Sequence, residues 1–208
     1  MNPLSHVAFI MDGNGRWGKK KKKNRNYGHL KGVETVKKIV KASIKIKIPI
    51  LTFYVFSSEN WKRPKNEIFF LFKLINNYFS SEINEVVQQG IKLNILGEIN
   101  KLPKEVKKTF KKCELLTKKN KKIIINLAIN YGSKTEILYA SKRTKRKLNI
   151  KNFEENLYTK KMPNPDILIR TGGYKRLSNF MLWQLAYTEL FFLKKLWPDF
   201  TKNDLKKI

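Results

Sequence analysis

The stretch His6-Val7-Ala8-Phe9-Ile10-Met11-Asp12-Gly13-Asn14-Gly15-Arg16-Trp17 opens with an apolar run and delivers a carboxylate, two glycines and a guanidinium. An apolar strand with no polar alternation is what a parallel sheet covered on both faces requires. The glycines let backbone N–H groups approach phosphate oxygens, Arg16 offers a planar donor fork, and Asp12 offers a hard oxygen ligand for Mg²⁺. Taken alone, Asp12-Gly13-Asn14-Gly15 reads more readily as a tight turn after a strand, so the rest of the chain has to decide.

Five more runs join the opening one, taken as His6 to Met11: Ile50 to Phe56, Ile91 to Leu96, Lys122 to Asn130, Asp166 to Arg170 and Glu189 to Leu193. Helix-length segments separate them, near Leu30 to Lys45, Lys65 to Gln89, Pro103 to Lys118, Lys134 to Lys147 and Ser178 to Tyr187. Strands alternating with helices predict an α/β fold: a mainly parallel six-stranded sheet flanked by helices, one domain over residues 1–208. The polar and glycine residues follow the strand ends, as Asp12-Gly13-Asn14-Gly15-Arg16, Ser57-Ser58-Glu59-Asn60-Trp61, Gly97-Glu98, Tyr131-Gly132 and Arg170-Thr171-Gly172-Gly173. Ligands of open parallel sheets bind outside the carboxyl ends of strands, so these segments are expected to share one cleft.

Composition narrows the chemistry. The formal net charge of +29 invites a nucleic-acid reading, yet only seven of the 45 basic residues are arginine and the lysines are spread along the whole chain. Such skew reads as background residue usage, and runs such as Lys19 to Lys23 as solvated surface. Against that background, five of the seven arginines, Arg16, Arg25, Arg63, Arg170 and Arg176, stand in or near the polar segments. Bidentate recognition of phosphate is work that lysine cannot copy. Ordinary surface ion pairs explain them less well, since acidic residues total 16. One cysteine, Cys113, and two histidines, His6 and His29, leave any metal to oxygen ligands. The longest apolar run, Ile48 to Phe56, is nine residues, too short to span a bilayer, and no secretory signal is recognisable, so a cytoplasmic protein is expected.

From Pro64 to Val87, Ile68, Leu71, Phe72, Ile75, Phe79, Ile83 and Val86 form one helical stripe, which Phe69, Phe70, Leu74 and Tyr78 widen. A core helix packed on two sides is the readier explanation from periodicity; the wall of an apolar tunnel beside a phosphate site is the sharper one.

The ordered motifs resemble the cis-prenyltransferases of the bacterial undecaprenyl diphosphate synthase type. The resemblance runs through His6 to Trp17, Arg25-Asn26-Tyr27-Gly28-His29-Leu30-Lys31-Gly32, Tyr54 to Pro64, Asn130-Tyr131-Gly132, Asp166 to Gly173 and Ser178 to Glu189. It implies Mg²⁺-dependent cis-condensation of isopentenyl diphosphate onto an allylic diphosphate such as farnesyl diphosphate, giving a long polyprenyl diphosphate. By the same resemblance, Gly13, Asn14, Gly15, Arg16, Arg25 and His29 cradle the allylic diphosphate, with Trp17 beside them. Arg170, Arg176 and Ser178 hold the isopentenyl diphosphate, and Asp12 and Glu189 are the Mg²⁺ ligands, Asp12 also being catalytic. Ser57, Ser58, Glu59, Trp61 and Arg63 belong to a loop that closes over both substrates, and Asn60 matches a position assigned to proton removal. A carboxamide is a poor base, so a water, a diphosphate oxygen or His29 stays open as the acceptor; His29 is also readable as a structural helix-start residue.

Tyr174 stands where bacterial members usually carry an acidic residue. Eight residues follow Trp197-Pro198-Asp199-Phe200, where relatives continue into a helix and an arginine-containing tail, so the domain is expected to be truncated at its C-terminus. A homodimer is implied, with no nucleic acid and at most peripheral membrane contact through the lipid product. A basic nucleic-acid-binding protein and a non-catalytic subunit retaining the fold are the competing readings.

Overall fold

The computed structural model describes residues 4–145 and 147–208. In chain order the elements are β1 (His6–Ile10), α1 (Asn14–Lys20), α2 (Arg25–Lys45), β2 (Ile50–Ser57), α3 (Lys65–Gln88), β3 (Ile91–Leu96), α4 (Lys104–Thr117), β4 (Ile123–Tyr131), α5 (Ser133–Arg143), α6 (Ile150–Glu154), β5 (Ile167–Arg170), β6 (Glu189–Phe192) and α7 (Lys202–Lys207). The strands form one six-stranded sheet in the order β3-β4-β2-β1-β5-β6, every described pairing parallel.

The apolar opening run is explained by burial on both sides. Val7 and Phe9 join a core under α2, α3 and α4, while Ala8 and Ile10 join a second core with Phe180, Met181 and Leu185. Successive side chains of a strand point to opposite faces, so a strand covered twice has no polar position to spare. The exception is a buried polar ladder: His6 Nε2 lies 2.6 Å from Thr52 Oγ1, which accepts from Asn126 Nδ2 at 2.9 Å. Asn94 Nδ2 extends it by donating to Asn126 Oδ1 at 2.9 Å.

Strand order reverses at β1, which has β2 on one side and β5 on the other. The chain leaves β1 at Asp12 and β5 at Thr171, so the crevice beyond these two ends is the switch point at which parallel sheets take ligands.

The expected helix over Ser178 to Tyr187 is absent and the segment is a series of turns. Ser178, Asn179 and Met181 have φ of 51°, 62° and 47°, a left-handed conformation that no α-helix accommodates. Asn179 instead caps α5: its backbone carbonyl accepts Ser133 N–H at 2.8 Å and its Oδ1 accepts Lys134 N–H at 2.9 Å. Helix α2 begins at Arg25 rather than Leu30 because Asn24 Oδ1 accepts Tyr27 N–H at 2.9 Å. Helix α5 ends at Arg143, short of the expected Lys147; Arg146 in that span lies outside the described residues. The short helices α1, α6 and α7 were not expected. The apolar stripe of α3 is buried as its period requires, whereas Phe69 on the added width is 71% exposed. No described helix is long and apolar enough to cross a membrane.

Candidate active site

Asp12 sits where β1 ends, fixed from both sides. Its carbonyl accepts Thr171 Oγ1 at 2.8 Å and Trp197 N–H at 3.0 Å, and its own N–H donates to Thr171 Oγ1 at 3.1 Å. Gly13 follows at φ 107°, and a Cβ there would also meet the Leu196 side chain at 2.7 Å, so only glycine turns the chain here. The turn starts α1 and brings Arg16 back over the carboxylate, with Nη2 at 3.1 Å from Oδ1. Arg170, at the end of β5, donates Nη2 to Oδ2 at 2.9 Å.

Arg170 is the best-anchored cation of the group. It is 3% exposed, and Nη1 donates to Ser178 Oγ at 2.8 Å and to the Arg176 carbonyl. Its Nε is buried with no partner among the described residues, as is Asn14 Oδ1. Asp12, Asn14, His29, Ser57, Asn60, Arg63, Arg170, Arg176 and Ser178 all face one pocket of about 320 Å³, together with Tyr174. Three of the five expected segments, those after β1, β2 and β5, therefore meet in one cleft, whereas Gly97-Glu98 and Tyr131-Gly132 do not line it.

A second cluster stands at its edge. Glu67, near the start of α3, accepts from Arg25 Nε at 2.9 Å and Nη2 at 3.2 Å, and from Arg63 Nη1 at 3.3 Å; His29 Nε2 lies 3.2 Å from the same carboxylate. Arg25 crosses Gly15 to get there: a Cβ on Gly15 would stand 2.7 Å from the guanidinium carbon. Burial pushes the Glu67 carboxyl up, but Arg25, Arg63 and His29 outweigh it and hold it below the usual range. Burial lowers His29 despite Glu67, so the imidazole is neutral near pH 7. A neutral ring that donates Nε2–H to Glu67 keeps Nδ1 free as an acceptor. Sequence reasoning missed Glu67; its one signal was the spacing of Arg63 four residues before it on a helix start.

The turn over Ser58–Lys62 is built by its own side chains. Asn60 Oδ1 accepts Ser57 N–H at 3.2 Å, Ser58 Oγ donates to Glu59 at 3.2 Å, and Glu59 accepts from Asn179 Nδ2 at 2.8 Å. Trp61 packs on Phe56 and Phe72 and donates Nε1–H to Asn130 Oδ1 at 2.8 Å. Trp17 is directed elsewhere, donating to Asp199 at 2.7 Å and stacking on Tyr27.

Glu189 is not brought to Asp12. It is the first residue of β6, level with Ile167 and hence with Val7, whereas Asp12 lies beyond the other end of β1. Five residues of strand separate those levels, about 16 Å at 3.3 Å per residue. Asp12 is then the one acidic residue lining the pocket among the described residues, which contain no cluster of three metal-ligating side chains. A single carboxylate fits Mg²⁺ that arrives with a diphosphate, since this ion commonly takes one or two carboxylates and completes its shell with phosphate oxygens and water.

Beside the polar pocket, sharing Met11, Asn14, His29, Val55 and Leu71 with it, lies an apolar cavity of about 110 Å³ between α2 and α3. A third, of about 70 Å³, continues the line and shares Val36, Tyr78, Phe79 and Leu127 with the second.

Two solved structures have this architecture throughout. Lavandulyl diphosphate synthase from Lavandula x intermedia, solved with dimethylallyl diphosphate, superposes with a TM-score of 0.94 at 34% identity, covering 99% of this chain and 93% of its own. A probable undecaprenyl diphosphate synthase from Campylobacter jejuni gives 0.85 at 35% identity, over 100% and 93%. Fold and rim together define the class, a prenyltransferase. The chain belongs to the undecaprenyl diphosphate synthase family, whose model matches residues 10–208. The isoprenyl transferase of Clostridium tetani is 46% identical over 99% of this chain and 85% of its own length. That of Prochlorococcus marinus is 44% identical over 97% and 78%.

Proposed function

We propose that the protein condenses isopentenyl diphosphate in cis onto an allylic diphosphate, repeatedly, to make a polyprenyl diphosphate. The observation that carries this is the junction of a guanidinium-lined polar pocket with an apolar cavity through five shared residues. A substrate with a diphosphate head and a hydrocarbon tail is the ligand that fits both.

In this reading the allylic C–O bond breaks, its electrons leave with the diphosphate, and the double bond of isopentenyl diphosphate attacks the allylic carbon. A proton is then lost to form the new double bond. The first-turn N–H groups of Gly13-Asn14-Gly15, with Arg16, meet the charge that grows on the departing diphosphate. Arg25 and His29 belong to the same cradle, Arg25 being released from Glu67 as the anion arrives. Arg170, Arg176 and Ser178 orient the second diphosphate, and the orphaned Arg170 Nε–H gains an acceptor there. Asp12 would hold Mg²⁺, which supplies Lewis-acid charge to diphosphate oxygens when bound. Ser57 to Trp61 and Arg63 close over the reacting carbons and keep water from an allylic cation.

We assign the proton to His29 rather than Asn60. The Asn60 oxygen is engaged by Ser57 N–H, whereas His29 is neutral, stands at the junction of the two cavities and has a carboxylate behind it to stabilise the imidazolium. His29→Gln should lower kcat by about a hundredfold or more, the range such groups contribute. An unchanged kcat would return the role to a water or a diphosphate oxygen.

The dimethylallyl complex of the lavender relative makes a five-carbon allylic starter the first competitor to farnesyl diphosphate. Incubation with radiolabelled isopentenyl diphosphate and each starter in turn, followed by sizing of the lipid, tests the reading. No labelled lipid from either starter would overturn it. A homodimer is part of the proposal, supported by exposed Leu138 on α5, Leu148 in the connection that follows, Ile150 at the start of α6 and Tyr187 in the turns before β6.

A further inference from the structure

The reaction as drawn gives Tyr174 no role, yet three of the guanidiniums at the site surround its ring. The guanidinium carbon of Arg176 lies 4.4 Å from the ring centroid, that of Arg16 4.9 Å and that of Arg170 5.8 Å. All three are within the ~6 Å at which the negative face of an aromatic ring attracts a cation. Each comes from a different part of the chain: α1, the end of β5 and the loop after it.

Charge makes the grouping unusual. Asp12 reaches Arg16 and Arg170 with one oxygen each, and no carboxylate pairs with Arg176 among the described residues. Three cations so close repel one another; Asp12 offsets this for Arg16 and Arg170, and the Tyr174 ring is what stands against Arg176. A carboxylate in that place would gather them too, but would itself occupy the guanidiniums and have to be displaced by any incoming anion. A ring gathers them and adds no charge. The pocket also shows an unmet demand for an acceptor, since Arg170 is 3% exposed and its Nε–H is buried without a partner.

We propose that Tyr174 is a positioning residue for a diphosphate group, its ring drawing Arg176 and Arg16 toward the fixed Arg170 without adding a charge that would compete with the anion. The assignment rests on the reading of the rim as a diphosphate site, and it makes the ring, not the hydroxyl, the working part.

The test is calorimetric titration of inorganic pyrophosphate into the full chain and its Tyr174→Phe, Tyr174→Leu and Tyr174→Glu variants, in chelator so that no metal contributes. Tyr174→Phe should bind within about twofold of the native chain and Tyr174→Leu about tenfold more weakly, the loss expected for a cation cluster stripped of its ring. Tyr174→Glu should also bind more weakly, because the new carboxylate competes with the ligand. In turnover, Tyr174→Leu should raise KM for isopentenyl diphosphate by more than it lowers kcat, at an unchanged melting temperature. Native-level pyrophosphate binding by Tyr174→Leu overturns the proposal, as does an equal loss in Tyr174→Phe, which would move the effect to the hydroxyl. A native chain that binds no pyrophosphate overturns the diphosphate reading of the rim, and Tyr174 falls with it. Pyrophosphate binding without prenyl transfer overturns the proposed reaction and leaves the Tyr174 assignment standing.

Discussion

Asp12 pairs with Arg16 and Arg170, and Glu67 with Arg25, Arg63 and His29, and the two carboxylates answer different tests. Asp12 is held by its backbone, but its carboxylate also pairs with the nearly buried Arg170, so Asp12→Asn, which keeps an acceptor there, is the cleaner test: turnover should fall by more than about a hundredfold with a smaller loss of melting temperature than Asp12→Ala, which leaves the Arg170 charge unpaired. Glu67 neutralises Arg25 and Arg63 in a nearly buried position, its side chain 8% exposed. Glu67→Gln leaves those partly exposed charges facing each other and should cost about 1–2 kcal/mol in urea unfolding, with activity lost in parallel. The histidines set a pH signature. Burial holds both His6 and His29 below the ordinary 6.5. Between the folded values and 6.5 the unfolded chain binds more protons, so stability is full above about pH 6.5 and falls as the pH drops through that window. A melting series should therefore decline from near pH 6.5, well above the range of ordinary carboxylates; a flat curve down to about pH 5 would contradict the burial of both rings. At this scale the sequence announced Asp12, Arg16, Arg170 and Arg176, because glycines and scarce arginines mark anion chemistry directly. It was silent on Glu67, whose partners come from α2 and from the turn before α3, and on the distance between Glu189 and Asp12, which only strand register determines.

Helix α3 decides how much room lies behind the polar rim. Tyr78 and Phe79 stand where the two apolar cavities meet, and Lys37 Nζ lies 4.9 Å from the Tyr78 ring centroid. On the proposed reaction, Tyr78→Ala joins the cavities and should shift the longest product upward by at least one isoprene unit, read by chromatography of the dephosphorylated lipid. An unchanged distribution would place the limit on length elsewhere. The apolar width of this helix was visible as a pattern, but a pattern of side chains does not distinguish a packed face from a cavity wall; the facing side chains of α2 and β4 do. The turns over Ser178 to Tyr187 show the opposite failure. Phe180, Met181, Leu185 and Ala186 have helical spacing, yet Asn179 bonds the first turn of α5 more strongly than it would a helix of its own. Asn179→Ala should destabilise the fold by about 1 kcal/mol, the usual loss for a removed helix cap, measurable as a shift in melting temperature.

The molecule as a whole carries +29, far in excess of what its rim requires. Such a field concentrates anionic substrates and is screened by salt, so KM for both diphosphates should rise several-fold between low and about 0.5 M salt while kcat changes little. The α/β class was readable because most of the apolar runs lack alternation and are separated by helix-length segments, the pattern of strands covered on both faces; β6, whose Glu189 and Leu190 are exposed, is an edge exception. The strand order was not, since periodicity marks an element and says nothing of its neighbour; the crevice between β1 and β5 emerges only from the pairing. One arrangement at this scale bears on how a lipid would lengthen. At the end of α2 and α3 away from the rim, Lys37 pairs with Glu82 at 2.7 Å and Lys41 with Glu85 at 3.2 Å, all four side chains partly in water. Exposed pairs of this kind hold with little free energy. On the proposed reaction, a tail that grows toward that end meets two ion pairs whose loss costs the fold little, so lengthening there is opposed by weak contacts rather than by packed core.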